Sequence, residues 1–160
     1  MIAATLALLG AFGFLPVARA AGGDPVPEPS PSPGAIGRPS AESRYNSGLT
    51  LARQHRWNEA EQAFREAIAL RREFPEAWNE LGHTLRQEKR FPESVAAYQE
   101  ALRLRPNYAQ ALEYLGETYL AMGDRDKANA TLERLRPLDA RLADQLASAI
   151  DGHARRVSRW

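Results

Sequence analysis

The residues of this chain best suited to proton transfer or metal ligation are its three histidines, His55, His83 and His153. None belongs to a ligand-like motif with a second His, Asp or Glu. There is no cysteine. That removes disulfides, thiolate-bound zinc, iron–sulfur clusters, thiol nucleophiles and a lipid anchor on an N-terminal cysteine. No glycine-rich phosphate loop, no G-x-S-x-G and no opposed carboxylate cluster is present. Glu59-x-Glu61 and the neighbouring Glu/Arg pairs read as solvated helix faces with helix-spaced charge pairing. The expectation is a chain with no catalysis, no cofactor and no metal, whose chemistry is non-covalent binding. Formal charge is +1, from 21 basic and 20 acidic residues. Segment 1–20 holds Arg19 and no acid, so without it 20 basic residues face 20 acidic ones. A neutral body gives no electrostatic ground for nucleic acid, which needs a concentrated basic face.

A repeat must position any binding residue. Gly48, Gly82 and Gly116 stand 34 residues apart, as do Ala60, Ser94 and Ala128; Phe64, Tyr98 and Leu132; and Leu51, Leu85 and Tyr119. A period of this length marks stacked helical hairpins. Behind the two unusual N-terminal segments, roughly 120 residues remain, enough for three hairpins and a closing helix. The fold class expected is all-α, an α-solenoid of stacked antiparallel hairpins with about seven helices. The clearest unit is 75–108. Pro75 suits a first helical turn, where its missing N–H is no loss. Trp78, Leu81 and Leu85 make one apolar face at helical spacing. Gly82 lies on that face, where glycine costs about 1 kcal/mol against alanine. It therefore wants a packing reason: the second helix of its hairpin crosses there. The turn is Lys89-Arg90-Phe91, Pro92 starts the second helix, and Ser94, Tyr98, Ala101 and Leu102 face inward. Pro106 ends the hairpin.

On Trp78, Leu81, Gly82, Leu85, Ser94, Tyr98, Ala101 and Pro106 the unit resembles the tetratricopeptide repeat. Unit 41–74 keeps Gly48, Leu51, Ala60, Phe64 and Ala67 but departs at Arg44, Ser47 and Arg72. Unit 109–142 keeps Leu112, Leu115, Gly116, Tyr119, Ala128, Leu132 and Leu135, with its proline early at Pro137. The resemblance implies a protein-interaction scaffold that takes a protein or peptide partner in a concave groove. In that family the groove-facing positions would be Glu42, Tyr45, Leu49 and Ala52; Glu76, Asn79, His83 and Arg86; and Gln110, Glu113, Glu117 and Leu120. The partner-binding groove expected from them is Tyr45, Leu49, Asn79, His83, Arg86, Glu113 and Glu117. Asn79 would hold a peptide backbone, His83 and Arg86 an acidic group, and Tyr45 and Leu49 an apolar side chain. Relatives that clamp the terminal carboxylate of heat-shock chaperones use Lys, Asn and Arg at positions held here by Tyr45, Leu49, Glu80, Gln110 and Tyr114. That ligand is not expected. Residues 138–156 read as an amphipathic capping helix with Leu138, Leu142, Leu146, Ala149 and Ile150 on one face. Ile150 takes the glycine slot, which leaves no room for a further helix.

Residues 1–20 read as a signal peptide or a membrane anchor. An apolar run from Ile2 to Val17 ends in Ala18-Arg19-Ala20, a small-residue cleavage pattern, although no Lys or Arg precedes it. Residues 21–40 read as a disordered Pro-rich linker. Together these place the folded part outside the cytoplasm, periplasmic or otherwise extracytoplasmic, with anchorage to the inner membrane facing outward as the other reading. The expected role is assembly in a cell-envelope or secretion complex. The rival is a self-associating structural module tethered to the membrane, so monomer and weak homo-oligomer both stay open. The basic tail Arg155 to Trp160 reads as a solvated terminus.

Overall fold

The computed structural model describes residues 39–157. The expected signal or anchor, nearly all of the expected linker and the last three residues lie outside the described residues. Among those described, seven helices and no strand occur. They are α1 (Ala41–Arg53), α2 (Trp57–Leu70), α3 (Pro75–Gln87), α4 (Phe91–Leu104), α5 (Ala109–Ala121), α6 (Arg125–Leu135) and α7 (Ala140–Val157). α1 pairs with α2, α3 with α4 and α5 with α6, and each hairpin packs on the next. This is the α-solenoid expected. α7 closes it by lying against both α5 and α6.

Each hairpin turns through three residues with the same hydrogen bonds. The N–H groups of Arg56, Arg90 and Asp124 donate to the carbonyls of Leu51, Leu85 and Tyr119 at 3.0, 2.9 and 2.9 Å. Those of His55, Lys89 and Gly123 donate to Ala52, Arg86 and Leu120, each at 3.0 Å. This paired bonding is a Schellman close, whose middle residue must be left-handed. His55, Lys89 and Gly123 have φ of 58, 63 and 80°. Two of three turns thus put a side chain where only glycine avoids a clash between Cβ and the following carbonyl.

The three helical glycines have a packing cause. A Cβ on Gly48 would lie 2.6 Å from the Phe64 ring, and one on Gly82 would lie 2.8 Å from the Tyr98 ring. In both cases the ring comes from the second helix of the same hairpin. The third unit differs. A Cβ on Gly116 would lie 2.5 Å from Leu146 of α7. Leu132, in the slot of Phe64 and Tyr98, lacks a ring's reach, and the closing helix fills the place. The middle hairpin adds a polar tie, as Ser94 Oγ donates to the Gly82 carbonyl at 2.7 Å.

Two buried clusters run through the stack. One gathers Phe64, Ile68, Phe74, Leu81 and Leu85. The other gathers Tyr98, Leu112, Leu115, Leu135 and Leu146. Trp78 packs against both and donates its indole N–H to the Arg72 carbonyl at 3.1 Å. Two boundaries differ from the sequence reading. α4 begins at Phe91, so Pro92 sits one residue inside it. The closing helix begins at Ala140, because Asp139 Oδ1 accepts from the Leu142 N–H at 3.0 Å and acts as its cap. Leu138 therefore lies in the preceding turn, 38% exposed, and not on the helix's apolar face. No helix among the described residues is long and apolar enough to cross a membrane.

Lys89→Gly relieves the left-handed strain and is expected to stabilise the fold by about 1 kcal/mol; a lower thermal midpoint would contradict it. Gly82→Ala is expected to destabilise by about 1–3 kcal/mol, because the Tyr98 ring is already at the methyl's position. Gly152→Ala is the matched test. That glycine is in α7 with nothing within 4 Å of the new Cβ, so only helix propensity acts and the midpoint rises.

Candidate functional site

The backbones of α1 and α3 approach each other, as do those of α3 and α5 and of α5 and α7, whereas α2, α4 and α6 do not approach one another. The first helices therefore form the inner side of the curve. Arginines at the unit junctions tie this side together. Arg71 reaches Glu42 at 2.5 Å and lies 3.6 Å over the Phe74 ring. One repeat later Arg105 pairs with Glu76 and lies over Tyr108. Such exposed pairs contribute little individually.

The expected groove residues fall into three groups. Tyr45 and Leu49 are half-buried on α1, and the Tyr45 ring packs on Phe74 and Phe64 at centroid distances of 4.9 and 5.8 Å. They supply an apolar patch. Asn79 and Glu113 are buried. α3 has first-helix neighbours on both sides, and so has α5, which leaves their central positions little room to face solvent. Asn79 is not presented to a peptide backbone as the sequence suggested. Its Nδ2 donates to Glu80 Oε1 at 3.3 Å, and its Oδ1 has no partner. Arg86 and Glu117 satisfy each other, Nη1 to Oε2 at 2.5 Å, with both side chains partly buried. The carboxylate expected from a ligand is thus supplied by the next unit.

His83 sits in the middle of an aromatic file. Its ring is 6.2 Å from Trp57 and 5.3 Å from Tyr114, while Tyr114 is 6.1 Å from Tyr98. Burial, then the charge of Arg86, pushes the imidazole below its usual range, so it is neutral at pH 7. Arg86 lies 5.5 Å over the Tyr114 ring. Beyond Tyr114 a cleft of about 470 Å³ opens between α5 and α7, lined by Gln110, Glu113, Arg141 and Gln145 among others. Burial raises the Glu113 carboxyl, with the charge of Glu117 adding to it. It also raises that of Glu80, against which the Asn79 hydrogen bond works.

Tyr114, Trp57 and Glu80 are members of this wall that the sequence reading did not select. Tyr114 and Glu80 were visible as positions where a carboxylate clamp would need a basic or amide residue. Nothing in the repeat pattern marked Trp57, which opens α2 and reaches α3 across the turn. The inner wall offers an apolar patch, a ring file and the partly buried Arg86–Glu117 pair, beside the more exposed Arg71–Glu42 and Arg105–Glu76 pairs. Among the described residues no group of three or more His, Asp or Glu side chains is arranged to hold a metal ion.

Two family models match the chain. One described as "TPR repeat" covers residues 82–123, and one described as "Tetratricopeptide repeat" covers residues 40–73. No curated protein sequence matches. Among solved structures, the TPR2B domain of yeast Sti1 in a complex with an Hsp70 peptide superposes with a TM-score of 0.64 at 24% identity, over 74% of this chain and 96% of that one. The first TPR of Spaghetti (RPAP3), bound to the Hsp90 peptide SRMEEVD, gives 0.68 at 16% identity over 74% and 94%. PcrH, in complex with the chaperone-binding region of PopD, gives 0.66 at 19% over 72% and 91%. The class is a helical-hairpin solenoid with a first-helix inner wall. Residues 40–73 and 82–123 thus carry tetratricopeptide repeats.

The half-buried Glu80 yields a pH prediction. Its raised folded value means the folded state holds more protons above about pH 4.5, so stability falls as pH rises through that window. Glu80→Gln is neutral at every pH. It is expected to raise the thermal midpoint at pH 7 and to change it little at pH 4. Equal effects at both pH values would count against the assignment.

Proposed function

We propose that this protein is a non-catalytic scaffold that holds an extended segment of a partner protein along the inner wall of α1, α3 and α5. The observation that carries the proposal is the surface chemistry of that wall: Tyr45 and Leu49, the His83–Tyr114 ring contact and the Arg86–Glu117 pair stand in a row on three packed helices. Rigid aromatic and arginine anchors are what interfaces use to concentrate binding energy. Because Arg86 is already matched by Glu117, the wall suits a segment that offers apolar and hydrogen-bonding groups. A bare terminal carboxylate would have to displace Glu117.

The proposal extends to place. The apolar run Ile2–Val17 with its Ala18-Arg19-Ala20 end, followed by a proline-rich stretch, supports export and standing off from a membrane or wall. A partner in a cell-envelope or secretion assembly fits that setting. The fold is also that of the type III secretion translocator chaperone SycD of Yersinia enterocolitica, with a TM-score of 0.67 at 14% identity over 73% of this chain and 85% of that one.

The test uses the full chain as bait for co-purified partners, identified by mass spectrometry and then measured by calorimetry. Arg86→Ala, with unchanged helicity, is expected to weaken the partner about tenfold, the effect of losing ~1.4 kcal/mol at an interface. Leu70→Ser, on an exposed residue of α2, should leave affinity unchanged. The reverse pattern would remove the inner wall as the docking face.

A further inference from the structure

The outer side of the stack carries a second surface with different chemistry. Between α4 and α6, over α5, lies a groove of about 380 Å³. Leu102, Leu115 and Tyr119 form its apolar part, and Arg103, Lys127 and Arg134 line it with positive charge. No carboxylate is among its lining residues.

The repeat provides an internal comparison. One 34-residue step earlier, the positions of Gln99, Arg103, Lys127 and Arg134 are held by Arg65, Ala69, Glu93 and Glu100. At that earlier junction Arg65 and Glu93 meet across α2 and α4 at 3.7 Å. At the later junction Gln99 replaces the arginine and Lys127 the glutamate, so the cross-helix ion pair is gone. Gln99 Nε2 instead lies 3.4 Å from the Tyr119 hydroxyl. Both acidic positions of α4 have become basic on α6. Among the described residues Arg103 and Lys127 form ion pairs only with residues three positions away, Glu100 at 2.9 Å and Asp124 at 2.5 Å, and their side chains are 65% and 62% exposed; Lys127 also lies 5.5 Å over the Tyr119 ring. Exposed pairs of this kind exchange partners at little cost. Arg134 makes no ion pair among the described residues.

We propose that this outer groove docks an acidic amphipathic segment of a partner protein, placing an apolar side chain against Leu102 and Leu115 and carboxylates against Arg134, Lys127 and Arg103. The apolar floor calls for a side chain, and the charge reversal relative to the preceding junction calls for an acid. This surface is separate from the inner wall, so either one can fail without the other.

The experiment is an NMR titration of the isotope-labelled chain with a short acetylated and amidated peptide in which Glu and Leu alternate at amphipathic helical spacing. The control peptide has Lys for every Glu. Amide shifts are expected at Leu102, Leu115, Tyr119 and Thr131 with the acidic peptide, weakening as salt screens the charges. Arg134→Glu, with unchanged circular dichroism, should weaken binding about tenfold. Equal binding of the Lys peptide, shifts confined to α1 and α3, no shifts at all, or indifference to Arg134→Glu would each overturn the proposal. So would tighter binding of phosphatidylglycerol vesicles than of the peptide, since the occupant would then be a lipid surface.

Discussion

The stack depends on three places where a helix carries no side chain. At Gly48, Gly82 and Gly116 a large group from another helix stands where Cβ would be. Glycine inside a helix is a local defect, costing about 1 kcal/mol. Burying Phe64 and Tyr98 against it returns more than that, since a fully buried large apolar side chain contributes about 1.5–3 kcal/mol. The same contact brings the paired helices close enough for a three-residue turn. The turn then requires a left-handed residue, at His55, Lys89 and Gly123. In the first two hairpins close approach and strained turn are thus two ends of one constraint; in the third, Leu146 of α7 takes the ring's place and Gly123 makes the turn without strain.

The constraint also shapes the wall. With the first helices adjacent and the second helices spread apart, side chains on α3 and α5 have neighbours on both flanks. That is why Asn79 is fully buried with an unmatched carbonyl oxygen, and why Glu80 and Glu113 keep raised carboxyl values. Unmatched acceptors below a surface are uncommon in folded proteins. The inner wall is consequently a surface of rings and ion pairs, with much of its chemistry set by His83, Tyr114, Arg86 and Glu117.

Much of this was legible in the sequence, and the parts that were not share a cause. Period, helix number and the glycine contacts follow from side-chain size at fixed spacing, which the sequence states directly. The groove was less legible because a register assigns a residue to a face without saying how deep that face lies. Asn79 and His83 are both inner-face positions, yet one is fully covered and the other is partly open. Partner choice among charges was likewise unreadable: Arg86 finds Glu117, a residue 31 positions away on the next unit. Leu146 at Gly116 escaped for a related reason. By register Leu132 holds the place of Phe64 and Tyr98, and only its shorter side chain shows why the cap intrudes.

Because the frame repeats, departures from it can be read as differences with the backbone held constant. Arg56–Glu59 and Arg90–Glu93 open the first two second helices, and the third opens with the charges exchanged, Asp124 and Lys127. The exchange has a local cause. Asp124 Oδ1 accepts from the Lys127 N–H at 3.1 Å and caps α6, whereas Arg56 and Arg90 make no side-chain cap. A carboxylate at a helix start also meets the positive end of its dipole. Capping accounts for the acid at 124, and the lysine at 127 answers it. It does not account for Arg134, two turns further on, where one repeat earlier stands Glu100. A charge reversed with no ion-pair partner among the described residues is the kind of change that a surface facing outward would require.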